Sequence, residues 1–89
     1  MMRMQDVIRD CKSRNNHFFD ADTMEFWNSK VCSELLDNNC FVTSEDNFDR
    51  TRILYSVRQY APEDSDCIKT IGFQKWSTLE SALEFAKEI

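Results

Sequence analysis

Arg52-Ile53-Leu54-Tyr55-Ser56-Val57-Arg58-Gln59-Tyr60-Ala61-Pro62-Glu63-Asp64-Ser65-Asp66-Cys67-Ile68-Lys69-Thr70-Ile71-Gly72-Phe73-Gln74-Lys75-Trp76 reads as strand, turn, strand. Ile53, Tyr55 and Val57 alternate with Leu54, Ser56, Arg58 and Tyr60, which places the two sets on opposite faces of a sheet. Pro62 has no amide to give to a ladder, and the carboxylates of Glu63, Asp64 and Asp66 belong in water, so residues 61–66 form the turn. Gly72 within the second strand marks a bulge or a close backbone approach.

The flanking sequence supplies the other elements. Upstream, Lys30-Val31-Cys32-Ser33-Glu34-Leu35 and Cys40-Phe41-Val42-Thr43-Ser44-Glu45 are β-compatible runs. Leu36-Asp37-Asn38-Asn39 between them reads as a hairpin turn, because Asn and Asp form local turn bonds and tolerate positive φ where Gly is missing. Downstream, Ser77-Thr78-Leu79-Glu80 reads as a capping box with Ser77 at N-cap and Glu80 at N3. Leu79, Ala82, Leu83 and Ala86 then form an apolar stripe narrow enough to lie close on a sheet. Met4, Val7, Ile8 and Cys11 predict a first helix over residues 2–13, ending in a basic turn before Asn15-Asn16. Between them lies His17-Phe18-Phe19-Asp20-Ala21-Asp22-Thr23-Met24-Glu25-Phe26-Trp27. There Asp22 with Glu25, or Asp20 in competition, caps a short helix that turns Met24, Phe26 and Trp27 towards the core.

These elements predict one two-layer α+β domain over residues 1–89: N-terminal helix, short second helix, four-stranded antiparallel meander, C-terminal helix. In that arrangement the helices cover one face of the sheet.

Composition sets outer bounds on function. Eighty-nine residues, 42% apolar and 30% charged, with one Gly and one Pro, exclude collagen-like, low-complexity and wholly disordered chains. A net charge of −5 opposes general nucleic-acid binding, which depends on Lys and Arg neutralising phosphates, and permits a basic partner. No apolar stretch approaches a membrane span, and Asp6 and Asp10 fall among the first ten residues where a signal peptide is apolar, so a cytoplasmic protein is expected. Cys11, Cys32, Cys40 and Cys67 lack zinc-site spacing. Reduced, mostly buried thiols are the expectation, although four cysteines allow three disulfide connectivities.

Catalytic patterns are missing from the sequence. His17 is the one histidine, with Asp20 nearby and no distinguished nucleophile, and packing or capping at a helix junction accounts for it. The clusters Asp20/Asp22/Glu25, Glu45/Asp46/Asp49 and Glu63/Asp64/Asp66 lack the alternating ligands and central Gly of a calcium loop. Phosphate-cradling, zinc-hydrolase and nucleophile-elbow motifs do not occur. The reading is therefore a non-enzymatic protein without cofactor or metal.

Its candidate partner-binding residues are Phe48 in a polar loop, Arg58 and Tyr60 on a sheet face left uncovered beside Phe41, Thr43 and Lys69, and the acidic Glu63, Asp64 and Asp66. Two alternatives carry different residues. A nucleic-acid-binding or regulatory module would use Arg50, Arg52, Arg58, Lys69 and Lys75, and a small-ligand binder would place a pocket around His17, Trp27 and Trp76.

The run His17-Phe18-Phe19-Asp20-x-Asp22-Thr23-Met24-x-Phe26-Trp27-x-Ser29-Lys30 resembles a family of short uncharacterised proteins of phages and prophages. The likeness continues through Phe41-Val42-Thr43-Ser44-Glu45, Tyr55-x-Val57-Arg58, Ile68-x-Thr70-Ile71-x-Phe73-Gln74 and Ser77-x-x-Glu80-x-Ala82, over about residues 15–87. The chain departs from it at Asp37-Asn38-Asn39, where relatives carry glycines, and at its extended acidic turn. The resemblance implies a phage setting and brings no catalytic residues. By analogy with small acidic phage proteins, it implies binding and inhibition of a host protein, as anti-CRISPR and other anti-defence inhibitors do; the host target would be a basic nucleic-acid-binding complex.

Overall fold

A computed structural model describes residues 2–89. The elements run α1 (Met4–Ser13), α2 (Ala21–Phe26), β1 (Lys30–Val31), β2 (Cys40–Asp46), β3 (Ile53–Tyr60), β4 (Ile68–Trp76) and α3 (Leu79–Lys87). The strands form one antiparallel meander in the order β1-β2-β3-β4. The α+β class and the element order are those the sequence predicts.

The layering differs from the expectation. Phe41 on one face of β2 packs with Met4, Val7 and Cys11 of α1, with Phe19, and with Tyr60, Cys67 and Ile68. Its neighbours Cys40 and Val42 point the other way, against Val57 and the Ala82 and Ala86 stripe of α3. The sheet therefore lies between α1 with residues 15–27 on one side and α3 on the other, in three layers. Cys40 to Glu45 of β2 are consecutively buried, as in a strand covered on both faces.

Local chemistry sets the element ends. α1 starts where the Asp6 carboxylate accepts the Arg3 backbone N–H at 2.9 Å, and the chain leaves it through Asn15 at φ 60°. Asp20, not Asp22, is the N-cap of α2. α3 begins one residue later than predicted: Thr78 is the N-cap, and its hydroxyl accepts the Ser81 N–H at 3.2 Å. The first hairpin forms, but β1 is only two residues long. Ser33 Oγ accepts the Val42 N–H at 2.9 Å, so a side chain replaces the ladder there and the chain peels away. Asn38 closes that hairpin (its Oδ1 accepts the Cys40 N–H at 3.0 Å) and donates from Nδ2 to the Ala86 carbonyl at 2.7 Å, tying the turn to the last turn of α3.

The expected irregularity at Gly72 is present in both forms. β4 pairs Gly72 with Val57 but Trp76 with Tyr55, so extra residues bulge out between them, and Gln74 sits there at φ 53°. The Trp76 ring folds back over Gly72, where a Cβ would lie 2.6 Å from Cη2.

Candidate functional site

Arg58 and Tyr60, expected on an open sheet face, are in the interior at 7% and 4% exposure, and Phe41 and Thr43 beside them are fully buried. The face is covered because its polar residues satisfy one another. Register pairs Phe41 with Arg58 and Thr43 with Ser56 on neighbouring strands. Arg58 Nη2 meets Glu45 Oε2 at 3.2 Å, and Nε donates to Thr43 Oγ1 at 3.2 Å. Nη1 donates to Thr70 Oγ1 at 2.7 Å. Thr43 Oγ1 and Ser56 Oγ donate to the two oxygens of Glu45 at 2.5 and 2.6 Å. The guanidinium also stands 5.1 Å from the Phe18 ring and 5.5 Å from the Phe73 ring. Among the described residues no buried side-chain polar atom lacks a partner. A buried ion pair satisfied in this way gives the covering helices a defined seat, and breaking it is expensive.

Above the rim of this network lies a feature that the sequence reading turned inward. Phe26, predicted to face the core, is 66% exposed, and Phe73 is 43% exposed. Half-buried Trp27 lies between them, with ring centroids 5.1 Å from Phe26 and 6.5 Å from Phe73. The trio gathers residues from the end of α2 and the bulge of β4, beside the β2–β3 loop.

Asp46 ties these three segments together. Its N–H donates to the Trp27 carbonyl at 2.8 Å, and its carbonyl accepts Gln74 Nε2 at 2.8 Å. Its carboxylate pairs with Arg50 at 3.4 Å, and Arg50 Nη2 reaches the Phe26 carbonyl at 2.9 Å. Asn28, Arg50 and Gln74, one in each segment, take φ values of 53°, 58° and 53°. For Arg and Gln this left-handed backbone costs about 1–2 kcal/mol each, offset here by the bonds through Asp46. Phe48 is 89% exposed in the same loop, as its polar surroundings predict.

The acidic turn lies at the opposite end of the sheet, about 25 Å away along β3 at roughly 3.3 Å per residue. There Glu63 and Asp66 are exposed, and Asp64 pairs with Lys69 at 3.1 Å. The turn is laced to α1 and the segment after it: Arg14 Nη1 donates to the Pro62 carbonyl, and Asn16 Nδ2 to the Asp66 carbonyl, each at 2.5 Å. Tyr60 Oη donates to Asp10 Oδ2 at 2.5 Å, and Arg14 pairs with the same carboxylate at 3.1 Å. The Tyr60 hydrogen bond, with Arg14 behind it, holds the Asp10 carboxyl below its usual range. Burial, reinforced by Asp10, pushes the Tyr60 phenol up to about 12. Of the six residues singled out from sequence, two are thus interior, Phe48 is at one end, and the three acids are at the other.

The remaining sequence candidates are dispersed. His17 Nδ1 lies 2.7 Å from Asp20 Oδ2, a surface pair over the start of α2. Trp27 packs on Phe73 on the α2 side, whereas Trp76 packs on Phe85 and α3, so the pair does not share a pocket with His17. Of the basic residues considered, Arg58 is buried, Arg50 is engaged by Asp46, and Lys69 belongs to the acidic end. Among the described residues no group of three or more His, Cys, Asp or Glu is placed to hold a metal, and no helix is long and apolar enough to cross a membrane.

Fold and surface together define a small three-layer α+β domain with an aromatic patch braced at one end of its sheet. The chain belongs to the Family of unknown function (DUF7447), whose model it matches over residues 3–87. No curated protein and no solved structure matches it.

Proposed function

We propose that this protein is a non-catalytic binding protein that uses the Phe26/Trp27/Phe73 patch to occupy and inhibit a protein of the host cell in which a phage or prophage expresses it. One observation carries the reading. Large aromatic side chains stay in water although side-chain-to-backbone bonds from Arg50 and Gln74 hold the segments that carry them. Aromatic residues bury large areas at low conformational cost, which makes them the usual energetic centres of protein interfaces. The phage setting is supported by the sequence resemblance. The net charge of −5 supports a basic partner, whose approach it would steer.

The test is quantitative capture from host lysate with tagged wild type and with a Phe26→Ala/Phe73→Ala variant whose circular dichroism is unchanged. The reading expects a protein retained by wild type and lost from the variant, with affinity falling by about 2 kcal/mol or more per residue, roughly thirtyfold. Equal capture by both chains, or turnover of a substrate by the purified protein, overturns it. Association with the captured protein slows as salt rises; a salt-independent rate removes the electrostatic component.

A further inference from the structure

We propose that Cys11 and Cys67 form a site of oxidative modification, a thiol pair that a peroxide converts into an internal disulfide stapling α1 to the turn between β3 and β4. All four cysteines are free thiols. Cys11 Sγ and Cys67 Sγ face each other at 3.3 Å, across the boundary between two elements far apart in sequence. Both residues are almost completely buried. Closing that gap to a bond of about 2.05 Å takes roughly 1.3 Å of movement shared by two side chains.

The surrounding structure prevents the two elements from separating. Arg14 on the Pro62 carbonyl, Asn16 on the Asp66 carbonyl and Tyr60 on Asp10 hold the turn against the end of α1 on either side of the sulfurs. Cys67 occupies φ 66°, a left-handed position with no glycine or asparagine to ease it, and this backbone directs its side chain to Cys11. The other two thiols have no such arrangement. Cys40 is buried against α3, and Cys32 Sγ lies 3.5 Å from the Lys30 carbonyl. Of the six single bridges that four cysteines allow, the fold therefore selects one and leaves two thiols out.

The chemistry balances with hydrogen peroxide as the oxidant. One sulfur attacks the peroxide, forming S–O as O–O breaks, and the departing hydroxide takes the thiol proton to leave as water. The second sulfur displaces the new hydroxyl, forming S–S as S–O breaks, and a second water leaves with the second thiol proton. Two thiols are oxidised and one peroxide is reduced. Burial and the adjacent Cys67 push the Cys11 thiol up to about 12. The reactive thiolate is therefore scarce at neutral pH, and the reaction accelerates as pH rises.

The experiment treats the reduced full chain with hydrogen peroxide under native conditions, blocks remaining thiols after denaturation, and maps peptides without reduction. Expected are a monomer lighter by the mass of two hydrogens, one cross-linked peptide pair containing Cys11 and Cys67, and alkylated Cys32 and Cys40. The bridge closes a long loop, so Tm rises by about ten degrees and returns on reduction. Cys32→Ser leaves the cross-link intact, whereas Cys67→Ser abolishes it. A bridge through Cys32 or Cys40, a disulfide-linked dimer, or four alkylatable thiols under conditions that oxidise the unfolded chain each overturn the proposal. Because the map is made on wild type, a variant that fails to fold does not blunt the test.

Discussion

The two ends of the sheet solve the same problem in opposite ways. Each must hold a turn or bulge of the meander against a neighbouring segment, and each does so with side chains that donate to backbone carbonyls: Arg14 and Asn16 at the acidic end, Arg50 and Gln74 at the aromatic end. At the acidic end the fastening conceals its apolar contents, Cys11, Cys67 and Tyr60. At the aromatic end an equally elaborate fastening leaves Phe26 and Phe73 in water. Fastening that conceals is explained by stability alone. Fastening that leaves aromatic rings exposed is what the proposed binding role accounts for.

The contrast has measurable consequences. The largest is at Glu45, beneath the aromatic end. Glu45→Ala strands the buried Arg58 charge and is expected to cost about 3–5 kcal/mol in urea unfolding. A loss below about 1 kcal/mol would mean that water reaches Arg58 and that the patch has no firm floor. Gly72→Ala comes next, at about 1–3 kcal/mol, because its Cβ collides with the Trp76 ring. A shifted tryptophan emission should accompany that loss, as the displaced ring leaves its place against Phe85.

At the acidic end Tyr60→Phe removes the hydrogen bond to Asp10 and is expected to cost about 1–2 kcal/mol. Its signature lies in pH. Tyr60 and Cys11 have folded values raised to about 12 from 10.0 and 9.0, so the fold favours their neutral forms. Their contribution is complete below those ordinary values and drains away as pH rises towards about 12. Asp10, held low, has the opposite dependence: its contribution is present above 3.8 and is lost as pH falls. Unfolding measured between pH 9 and 12 should therefore show a steep loss that Tyr60→Phe makes shallower. An unchanged slope would place Tyr60 outside the seam. The smallest stability effect belongs to Phe26→Ala, within about 0.5 kcal/mol, since the ring is mostly in water. A loss of 2 kcal/mol there would make the patch part of the core and remove the contrast between the ends.

Elements were more legible in the sequence than layers. Periodicity revealed α1, the meander and the α3 stripe, and Gly72 announced its bulge, because each of these is encoded within a few residues. The Ser77-x-x-Glu80 box misplaced the start of α3 by one, since Thr78 next door offers an equally good hydroxyl. The covered face was not legible. Thr43, Glu45, Ser56 and Arg58 look like a solvated surface until strand register brings the guanidinium and carboxylate together, and no local pattern reports register across 13 positions. Cys40-Phe41-Val42 did carry a signal, an unbroken apolar run of the kind found in strands covered twice.

The aromatic patch was missed for a related reason. Phe26 and Trp27 close a helix of only six residues, none of them buried, too short for periodicity to say which face meets the core. Phe73 joins them only through a bulge whose size the sequence does not state.

The double covering of β2 has a further consequence for how the molecule opens. β3 pairs with it along its whole length, and helices shield both its faces, so a partial fluctuation bares little of its β3 edge. The amides bonded to β3 are expected to trade hydrogen for deuterium only when the entire chain unravels. The slowest amides of Phe41 and Thr43 would therefore serve as an internal gauge of global unfolding, against which looser openings at either extremity can be timed.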